Sequence, residues 1–468
     1  MTPPTVPSTV SPSTLPCCSL VNTPDNFVAG KIFLFRHNWQ AFSRDKWIHD
    51  VVRGKVLEFD VVPVRSDFPR PLTLSTADKE ALDHAMLTFL QQKVVESCSH
   101  ISGPGFYSNV FPTRKKDGTA RVILNLKELN DFVKHVHFKM SSIKEVLSLL
   151  QENYFFMTID FKDAYFSVRI QPEDRKWLRF MWNNQSFQFT CLPQGLTSAP
   201  RVFTKLLKPV LSHLRSLGIL IVCYIDDCIL MASSAQELED NAMYALQLFD
   251  SIGLTVNVKK SVLFPTQEVE FLGLILNSVT MTASLPSRRK ESIKAHGLRL
   301  LHGASTLRDL AAFIGLAVAS EAAVNLAPLR YKYLEIVRNQ ALTLSNGNYD
   351  SIISLDSHAR DMIRWWIDNI DSQTNSLVSC PPDLEIHTDA CLTGWGAKVG
   401  DARTGGHWAH AELDHINCLE LKAILLSLQS LCKHCEQTHI RLRSDNSTAI
   451  ACINRCGSTK LSLNTLTE

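Results

Sequence analysis

The most constraining feature of the sequence is a short polar tip between two apolar runs. Residues 218–223 (Gly-Ile-Leu-Ile-Val-Cys) lead into residues 224–227 (Tyr-Ile-Asp-Asp), and residues 228–232 (Cys-Ile-Leu-Met-Ala) follow. Apolar runs of this length around a polar turn predict a buried β-hairpin. Its turn would hold Asp226 and Asp227 together, and two buried like charges are favourable only beside cations. The tip therefore predicts a site for hard divalent ions, with a solvated acidic turn as the alternative.

A third carboxylate ends another apolar run, residues 154–160 (Tyr-Phe-Phe-Met-Thr-Ile-Asp). A strand over this run would bring Asp160 beside Asp226 and Asp227. Three carboxylates around two divalent ions suit in-line phosphoryl transfer, because one ion activates the attacking oxygen and the other stabilises the leaving phosphate.

Between these acids, residues 192–200 open a predicted helix. Its apolar residues recur at helical spacing, and they are Phe203, Leu206, Leu207, Val210, Leu211 and Leu214. Gly195, just before the helix, would let a substrate approach the backbone closely. The neighbouring Gln194 could donate hydrogen bonds to that substrate.

Six segments, in the same order, resemble the sequence blocks of reverse transcriptases. Residues 115–130 resemble the fingers block, 154–169 palm motif A, 192–195 motif B, 224–227 motif C, 253–261 motif D and 271–274 the primer-grip hairpin. Each block alone is a weak signal, but six in register indicate the family.

The resemblance implies a catalytic centre with two metal ions. Asp160, Asp226 and Asp227 would bind two Mg²⁺ ions, or two Mn²⁺ ions. Lys115 and Arg121 would contact the incoming triphosphate, and the arginine offers a rigid fork of donors that suits phosphate oxygens.

The same resemblance implies a nucleotide pocket. Tyr165 matches the steric gate, where an aromatic ring excludes a ribose 2′-hydroxyl, and Gln194 would support the sugar. Lys260 is a candidate proton donor to the leaving pyrophosphate. The alternatives are a core aromatic for Tyr165 and a solvated turn lysine for Lys260. The pocket would also include Phe161, Asp163, Ala164 and Gly195.

A second set of acids follows near the end of the chain. Asp389 ends a predicted strand, Glu420 lies in an apolar helical stretch, and Asp445 ends another strand. Two strand ends and a helix again describe a two-metal phosphodiester site. The order resembles the ribonuclease H fold, so these three acids would bind a second pair of ions.

The ribonuclease H family has a fourth acid, on a helix beyond a further strand, and this chain stops at Glu468. We therefore expect the domain to be truncated and to cleave an RNA–DNA hybrid poorly. The rival expectation is that a neighbouring subunit or another acid, such as Glu412 or Asp414, fills the gap.

The predicted fold class is α+β and multidomain: a right-hand polymerase followed by a C-terminally truncated ribonuclease H-like α/β domain. The expected segments are a disordered Pro/Ser/Thr-rich tail (1–25), an N-terminal extension (26–74), reverse transcriptase fingers and palm (75–282), thumb (283–346), connection (347–382) and the ribonuclease H-like domain (383–468). This order resembles retroelement polyproteins, and softer patterns such as Trp39, Trp47 and the Trp365-Trp366 pair most resemble DIRS-type retrotransposons.

Bulk composition adds little about partners. The formal net charge of +2 does not itself indicate nucleic acid, although a locally basic cleft is compatible with it. No apolar run approaches a membrane span. Thirteen cysteines without a secretory signal predict free thiols in a reducing, intracellular compartment. Four of them loosely mimic zinc spacing, and packing or surface roles are favoured for these: Cys432, Cys435, Cys452 and Cys456.

These features predict an RNA-directed DNA polymerase, a nucleotidyltransferase of a retrotransposon. Its partners would be an RNA template, a DNA primer, deoxynucleoside triphosphates and an RNA–DNA hybrid. Two competing hypotheses stay open. One is a catalytically inactive retroelement relic that only binds nucleic acid, and the other is a nuclease alone.

Overall fold

The computed structural model describes residues 27–64, 69, 72–98, 105–114, 120–303, 305–378, 381–458 and 460–467. The predicted tail, residues 1–25, lies outside the described residues. The chain divides into two compact units, Met1–Phe271 and Leu272–Glu468, and each is described by itself. No helix among the described residues is long and apolar enough to cross a membrane.

The first unit mixes helices and strands. Its helices are α1 (Lys46–Arg53), α2 (Thr76–Gln91), α3 (Lys127–Asn130), α4 (Ile143–Leu149), α5 (Ala199–Ser216) and α6 (Ala235–Ser251). Its strands are β1 (Val95–Ser97), β2 (Val110–Arg114), β3 (Ala120–Leu124), β4 (Phe155–Asp160), β5 (Arg179–Trp182), β6 (Gln185–Phe189), β7 (Leu220–Tyr224), β8 (Asp227–Ala232), β9 (Val262–Thr266) and β10 (Glu268–Phe271).

A four-stranded antiparallel sheet, in the order β7-β8-β4-β9, forms the centre of this unit. The predicted hairpin is confirmed: β7 and β8 pair from Leu220 with Met231 to Tyr224 with Asp227. Four of the six β4 residues are buried, and five of the six β8 residues are. Strands covered on both faces read as continuous apolar runs, which explains the sequence pattern.

Helix α5 has the apolar face that its spacing predicted. Every residue of that predicted face is buried. Pro200 occupies the first turn, where a missing N–H costs nothing because it has no intrahelical partner there. The same core includes the ring of Trp39 from the N-terminal extension, whose indole N–H donates to the Ile252 carbonyl at 3.0 Å. The extension is therefore part of this unit's core.

The second unit begins with two strands, continues with helices and then forms a mixed sheet with its own helices. Its helices are α7 (Ser287–His302), α8 (Leu307–Val318), α9 (Lys332–Leu344), α10 (Ser357–Asn369), α11 (Ile416–Leu431), α12 (Ser447–Asn454) and α13 (Leu461–Thr467). Its strands are β11 (Leu274–Asn277), β12 (Thr282–Ser284), β13 (Thr374–Ser376), β14 (Leu384–Ala390), β15 (Gly394–Val399), β16 (Ala402–His407) and β17 (Ile440–Arg443).

Helices α7 to α9 lie in the segment predicted as a helical thumb. Helix α10 lies in the predicted connection, where the sequence analysis named no helix. It packs against α7 at Gly297, where an added Cβ would stand 2.9 Å from Ile367 Cγ1. The side chain of Trp366 is fully buried, and its indole N–H donates to the Arg330 carbonyl at 3.0 Å.

The last sheet of the second unit has the order β16-β15-β14-β17. Strands β14, β15 and β16 are antiparallel neighbours, whereas β17 runs parallel to β14. Helix α11 packs across β14 and β15. A helix that crosses one face of such a sheet brings its inward side chains to the strand ends, and this sets the position of Glu420.

Candidate active sites

The polymerase-like acids meet at one edge of the central sheet. Asp160 ends β4 and lies opposite Asp227, the first residue of β8. Asp226 is in the two-residue turn between β7 and β8, and its carbonyl accepts the Phe161 N–H at 2.8 Å. Ile225, the other turn residue, has a φ of +58°, which is strained for a β-branched side chain. Strand pairing therefore brings together the three acids that the sequence predicted.

The charges at this edge are crowded. Burial, followed by the nearby Asp226 and Asp160 carboxylates, raises the pKa of Asp227 to about 6. The Asp160 side chain is only 13% exposed. Neighbouring carboxylates raise the pKa of one another's carboxyl groups when no cation lies between them. Three crowded carboxylates thus form a donor set that fits hard divalent ions.

Lys260 lies beside this cluster. Its Nζ is 3.9 Å from Asp160 Oδ2. Two backbone contacts hold the segment around it: Asn257 N–H donates to the Asp160 carbonyl at 2.7 Å, and Asp160 N–H donates to Ser261 Oγ at 3.0 Å. The lysine predicted from motif D is therefore tethered next to the acids, although its side chain is largely exposed.

Tyr165 packs edge-on against Phe203 of α5, with 6.0 Å between ring centroids. Burial, and then the charge of Asp226, raises the pKa of its hydroxyl. Phe161 and Ala164 are buried. Asp163 precedes Ala164 with a φ of +48°.

The structure describes only some of the remaining residues predicted to contact the nucleotide. Gln194 is half-buried and Gly195 is exposed, with a φ of +94° that favours glycine. Lys115 lies outside the described residues. Arg121 is on β3, and its side chain also lies outside what is described.

The prediction of free thiols is wrong for one pair. Cys223 and Cys228 form a disulfide, with 4.0 Å between their Cα atoms. They are direct cross-strand neighbours on β7 and β8, one step behind the acidic turn. Side chains of closely spaced, directly paired residues in an antiparallel hairpin lie next to each other. The predicted hairpin therefore already indicated that Cys223 and Cys228 could form a disulfide. The other described cysteines are free.

The second acidic set also comes together. Oxygen atoms of Asp389, Glu420 and Asp445 lie within 4.8 Å of one another, whereas among the described residues those of Asp160, Asp226 and Asp227 do not all lie so close together. Glu420 is only 3% exposed, and its Oε2 has no hydrogen-bond partner. Burial, then the charges of the other two acids, raises the pKa of Glu420. An orphaned buried carboxylate oxygen fits a cation ligand.

The two acids suggested as substitutes for the fourth position, Glu412 and Asp414, each accept a backbone N–H. The Glu412 carboxylate accepts the Ala409 N–H at 2.8 Å, and the Asp414 carboxylate accepts the His415 N–H at 2.7 Å. The cysteines at zinc-like spacing are free thiols, and among described residues they form no three-ligand cluster.

Basic residues that the sequence analysis missed surround the second set. An open cleft of about 600 Å³ is lined by Asp389 and Asp445, and also by Lys398, Arg403 and Arg443. The three cations come from β15, β16 and β17, so the assembly of the whole β16-β15-β14-β17 sheet brings them together. Cations next to an acidic cluster suit a ligand that carries several phosphates.

Part of the chain matches a known protein family. Residues 113–276 match the family described as reverse transcriptase (RNA-dependent DNA polymerase). The Transposon Tf2-3 and Tf2-7 polyproteins of Schizosaccharomyces pombe are each 25% identical to the chain over 229 residues, 47% of this chain. The match spans only 16% of each polyprotein.

Solved structures show the fold. The foamy viral protease-reverse transcriptase in complex with dsDNA is 16% identical, with a TM-score of 0.57 over 91% of this chain and 99% of that one. The same enzyme with an RNA/DNA hybrid gives 0.56 at 16% identity, over 95% and 62% of the two chains. These likenesses show a polymerase fold with mixed helices and sheets.

Proposed function

We propose that this chain extends DNA primers on RNA templates for a retrotransposon, because residues 113–276 match the reverse transcriptase (RNA-dependent DNA polymerase) family and the similar curated proteins are transposon polyproteins. The substrates would be deoxynucleoside triphosphates. The observation that carries the proposal is the meeting of Asp160, Asp226 and Asp227 at one sheet edge inside the matched segment. The DIRS-type assignment and the predicted domain boundaries belong to this proposal.

The chain's own residues have distinct parts in the reaction. Asp160, Asp226 and Asp227 would hold two Mg²⁺ ions, which when bound supply activation of the primer hydroxyl and charge neutralisation of the phosphates. Lys260, tethered beside Asp160, would give a proton to the departing pyrophosphate oxygen. Lys115 and Arg121 would bind the triphosphate.

Selection of the nucleotide falls to Tyr165 and Gln194. The Tyr165 ring is fixed against Phe203, so it would exclude a 2′-hydroxyl sterically. Gln194 would donate a hydrogen bond to the sugar. The backbones of Phe161, Asp163, Ala164 and Gly195 would line the same pocket.

For the second unit we propose a ribonuclease H-like site that acts on RNA–DNA hybrids. Asp389, Glu420 and Asp445 would be the metal ligands, and the cations Arg403 and Arg443 would contact the hybrid's phosphates. The inactive-relic alternative has less support, because every predicted palm acid, the gate tyrosine and Gln194 are present.

Primer extension on an RNA template with a DNA primer and Mg²⁺ tests the proposed polymerase. Asp226→Asn should lower the extension rate by about three orders of magnitude, because loss of a metal ligand removes several kcal/mol of transition-state stabilisation. Asp240→Asn is the matched control, since Asp240 is an exposed acid on α6 that contacts Gln236. Near wild-type extension by Asp226→Asn would show that the centre is misassigned.

A further inference from the structure

One side chain from the fingers segment holds the loop that carries Gln194. Asn130, at the end of α3, donates from Nδ2 to the Gly195 carbonyl at 2.9 Å. Its Oδ1 accepts the Thr197 N–H at 3.0 Å. A side-chain amide presents a donor and an acceptor side by side, so Asn130 pairs with this backbone much as a neighbouring strand would.

The loop has backbone anchors at its two ends. At its start, Leu192 N–H donates to the Val168 carbonyl at 2.9 Å. At its end, Ala199 N–H donates to the Leu196 carbonyl at 3.0 Å, where α5 begins. The two Asn130 bonds fall between these anchors and directly follow Gln194. Gly195 itself is exposed and in the left-handed region, so burial does not anchor this part of the loop.

Asn130 is itself held firmly. Its N–H donates to the Leu126 carbonyl at 2.8 Å, and the side chains of Leu126 and Leu129 are buried at 2% and 0% exposure. A short helix anchored by two buried leucines gives the amide a fixed platform. Because Asn130 is already ordered, its hydrogen bonds to the 194–197 loop cost little entropy, and they can hold the loop in one position.

We propose that Asn130 is a positioning residue for nucleotide binding, which keeps the 194–197 loop in the conformation that presents Gln194 to the incoming sugar. The role rests on the proposed polymerase function. Asn130 acts through the loop and has no part in the chemistry. Its loss should therefore weaken nucleotide binding far more than it slows the chemical step.

The test is single-nucleotide incorporation over a range of deoxynucleotide concentrations, on an RNA template with a DNA primer. Asn130→Ala removes both bonds, and we expect kcat/KM to fall about tenfold with most of the change in KM. Asn130→Asp keeps the acceptor for Thr197 N–H but sets a carboxylate oxygen against the Gly195 carbonyl, so we expect a loss at least as large. The Asp variant also keeps the test valid if the Ala variant folds poorly.

Asn375→Ala is the matched control. Asn375 is half-buried, and it likewise donates from Nδ2 to a backbone carbonyl, that of Ala322, at 3.1 Å. It lies in the second unit, so its loss should leave KM unchanged. An equal rise of KM in Asn375→Ala would mean that general destabilisation explains the Asn130 result, and would overturn the role.

A double-mutant cycle separates positioning from an independent contribution. If Asn130 acts through Gln194, then adding Asn130→Ala to Gln194→Ala should change kcat/KM by less than about twofold. Full multiplication of the two single effects would overturn the proposal. A wild-type chain that extends no primer would overturn the polymerase function and this role together, whereas an active wild type with an unchanged KM in Asn130→Ala would overturn the role alone.

Discussion

The two acidic sites gather three carboxylates by different routes. In the first unit, two acids are neighbours in a hairpin turn and the third lies on the adjacent antiparallel strand, so backbone pairing alone brings them together. In the second unit, Asp389, Asp445 and Glu420 come from parallel strand ends and a helix. Their oxygens lie within 4.8 Å of one another.

The difference lies in how each site is supported. The hairpin site has Lys260 beside Asp160 and Tyr165 packed against Phe203, so the acids, the proposed proton donor and the proposed gate residue lie in one unit. The second site has a buried, unpartnered Glu420 oxygen and a rim of cations. These surroundings suit binding of a nucleic-acid phosphate backbone rather than selection of a single nucleotide.

The largest expected effect tests whether the two sites work independently. Asp160→Asn should lower primer extension by at least about 10³-fold and leave hybrid cleavage within twofold, because each site has its own ligands. Asp389→Asn should do the reverse. We expect hybrid cleavage by the wild type to be slow, since three acids hold one ion more readily than two. Extension and cleavage are measured on labelled substrates in parallel gel assays.

A loss of both activities in either single variant would contradict independence. Robust wild-type cleavage that Asp389→Asn abolishes would show that three described acids suffice. Asp240→Asn, with unchanged activity in both assays, controls for loss of an exposed acid.

The next effect concerns sugar choice, which we assign to the proposed nucleotide pocket of the first site. Tyr165→Val should open space beside the sugar 2′ carbon and lower the preference for deoxynucleotides over ribonucleotides by about 10²-fold. The measurement is the ratio of the two kcat/KM values. Tyr244→Val, which removes an exposed tyrosine of α6 that contacts His213, is the control. An unchanged ratio in Tyr165→Val would mean that Tyr165 is only a core aromatic.

A smaller effect should mark the second site as a phosphate-binding surface. Arg403→Ala should weaken hybrid binding by about three- to tenfold in low salt, and it should reduce the slope of log K against log salt by about one. Arg364→Ala is the control, because that exposed arginine pairs with Asp361 on α10, outside the cleft. Binding is measured by fluorescence anisotropy at several salt concentrations. An identical slope in wild type and Arg403→Ala would remove this residue from the interface.

Much of this arrangement could be predicted from the sequence, because the signals were local. The β7–β8 hairpin and the strand that ends at Asp160 follow from continuous apolar runs, and the apolar face of α5 follows from helical spacing. The features that could not be predicted depend on contacts between residues that are far apart in the sequence. The Asn130 bonds to the Gly195 loop cross 65 positions, and the cations of the second cleft come from three strands. The Cys223–Cys228 bond is also local. The sequence prediction of free thiols relied on a reducing compartment and took no account of the cross-strand pairing of these two cysteines.

The smallest expected effect is on stability, and it comes from charge crowding in the first site. The pKa of Asp227 is raised to about 6, chiefly by burial and then by its two acidic neighbours, whereas an unfolded chain has the ordinary value near 3.9. Between about pH 4 and pH 6 the unfolded state therefore loses this proton first, so the free energy of unfolding falls as pH rises and stays lower above pH 6.

Asp227→Asn removes this penalty, so in EDTA its melting temperature should exceed that of the wild type at pH 7 and match it at pH 4. The full shift corresponds to about 3 kcal/mol, and solvent screening at the sheet edge reduces the expected gain to about 1 kcal/mol, roughly 2 to 4 °C. Mg²⁺ should close the gap, because the ion stabilises the wild type by binding its carboxylates. Asp240→Asn should show no such pH-dependent difference. A wild type that melts above Asp227→Asn in EDTA at pH 7 would mean that the three carboxylates are not crowded, and the electrostatic contrast between the two sites would then disappear.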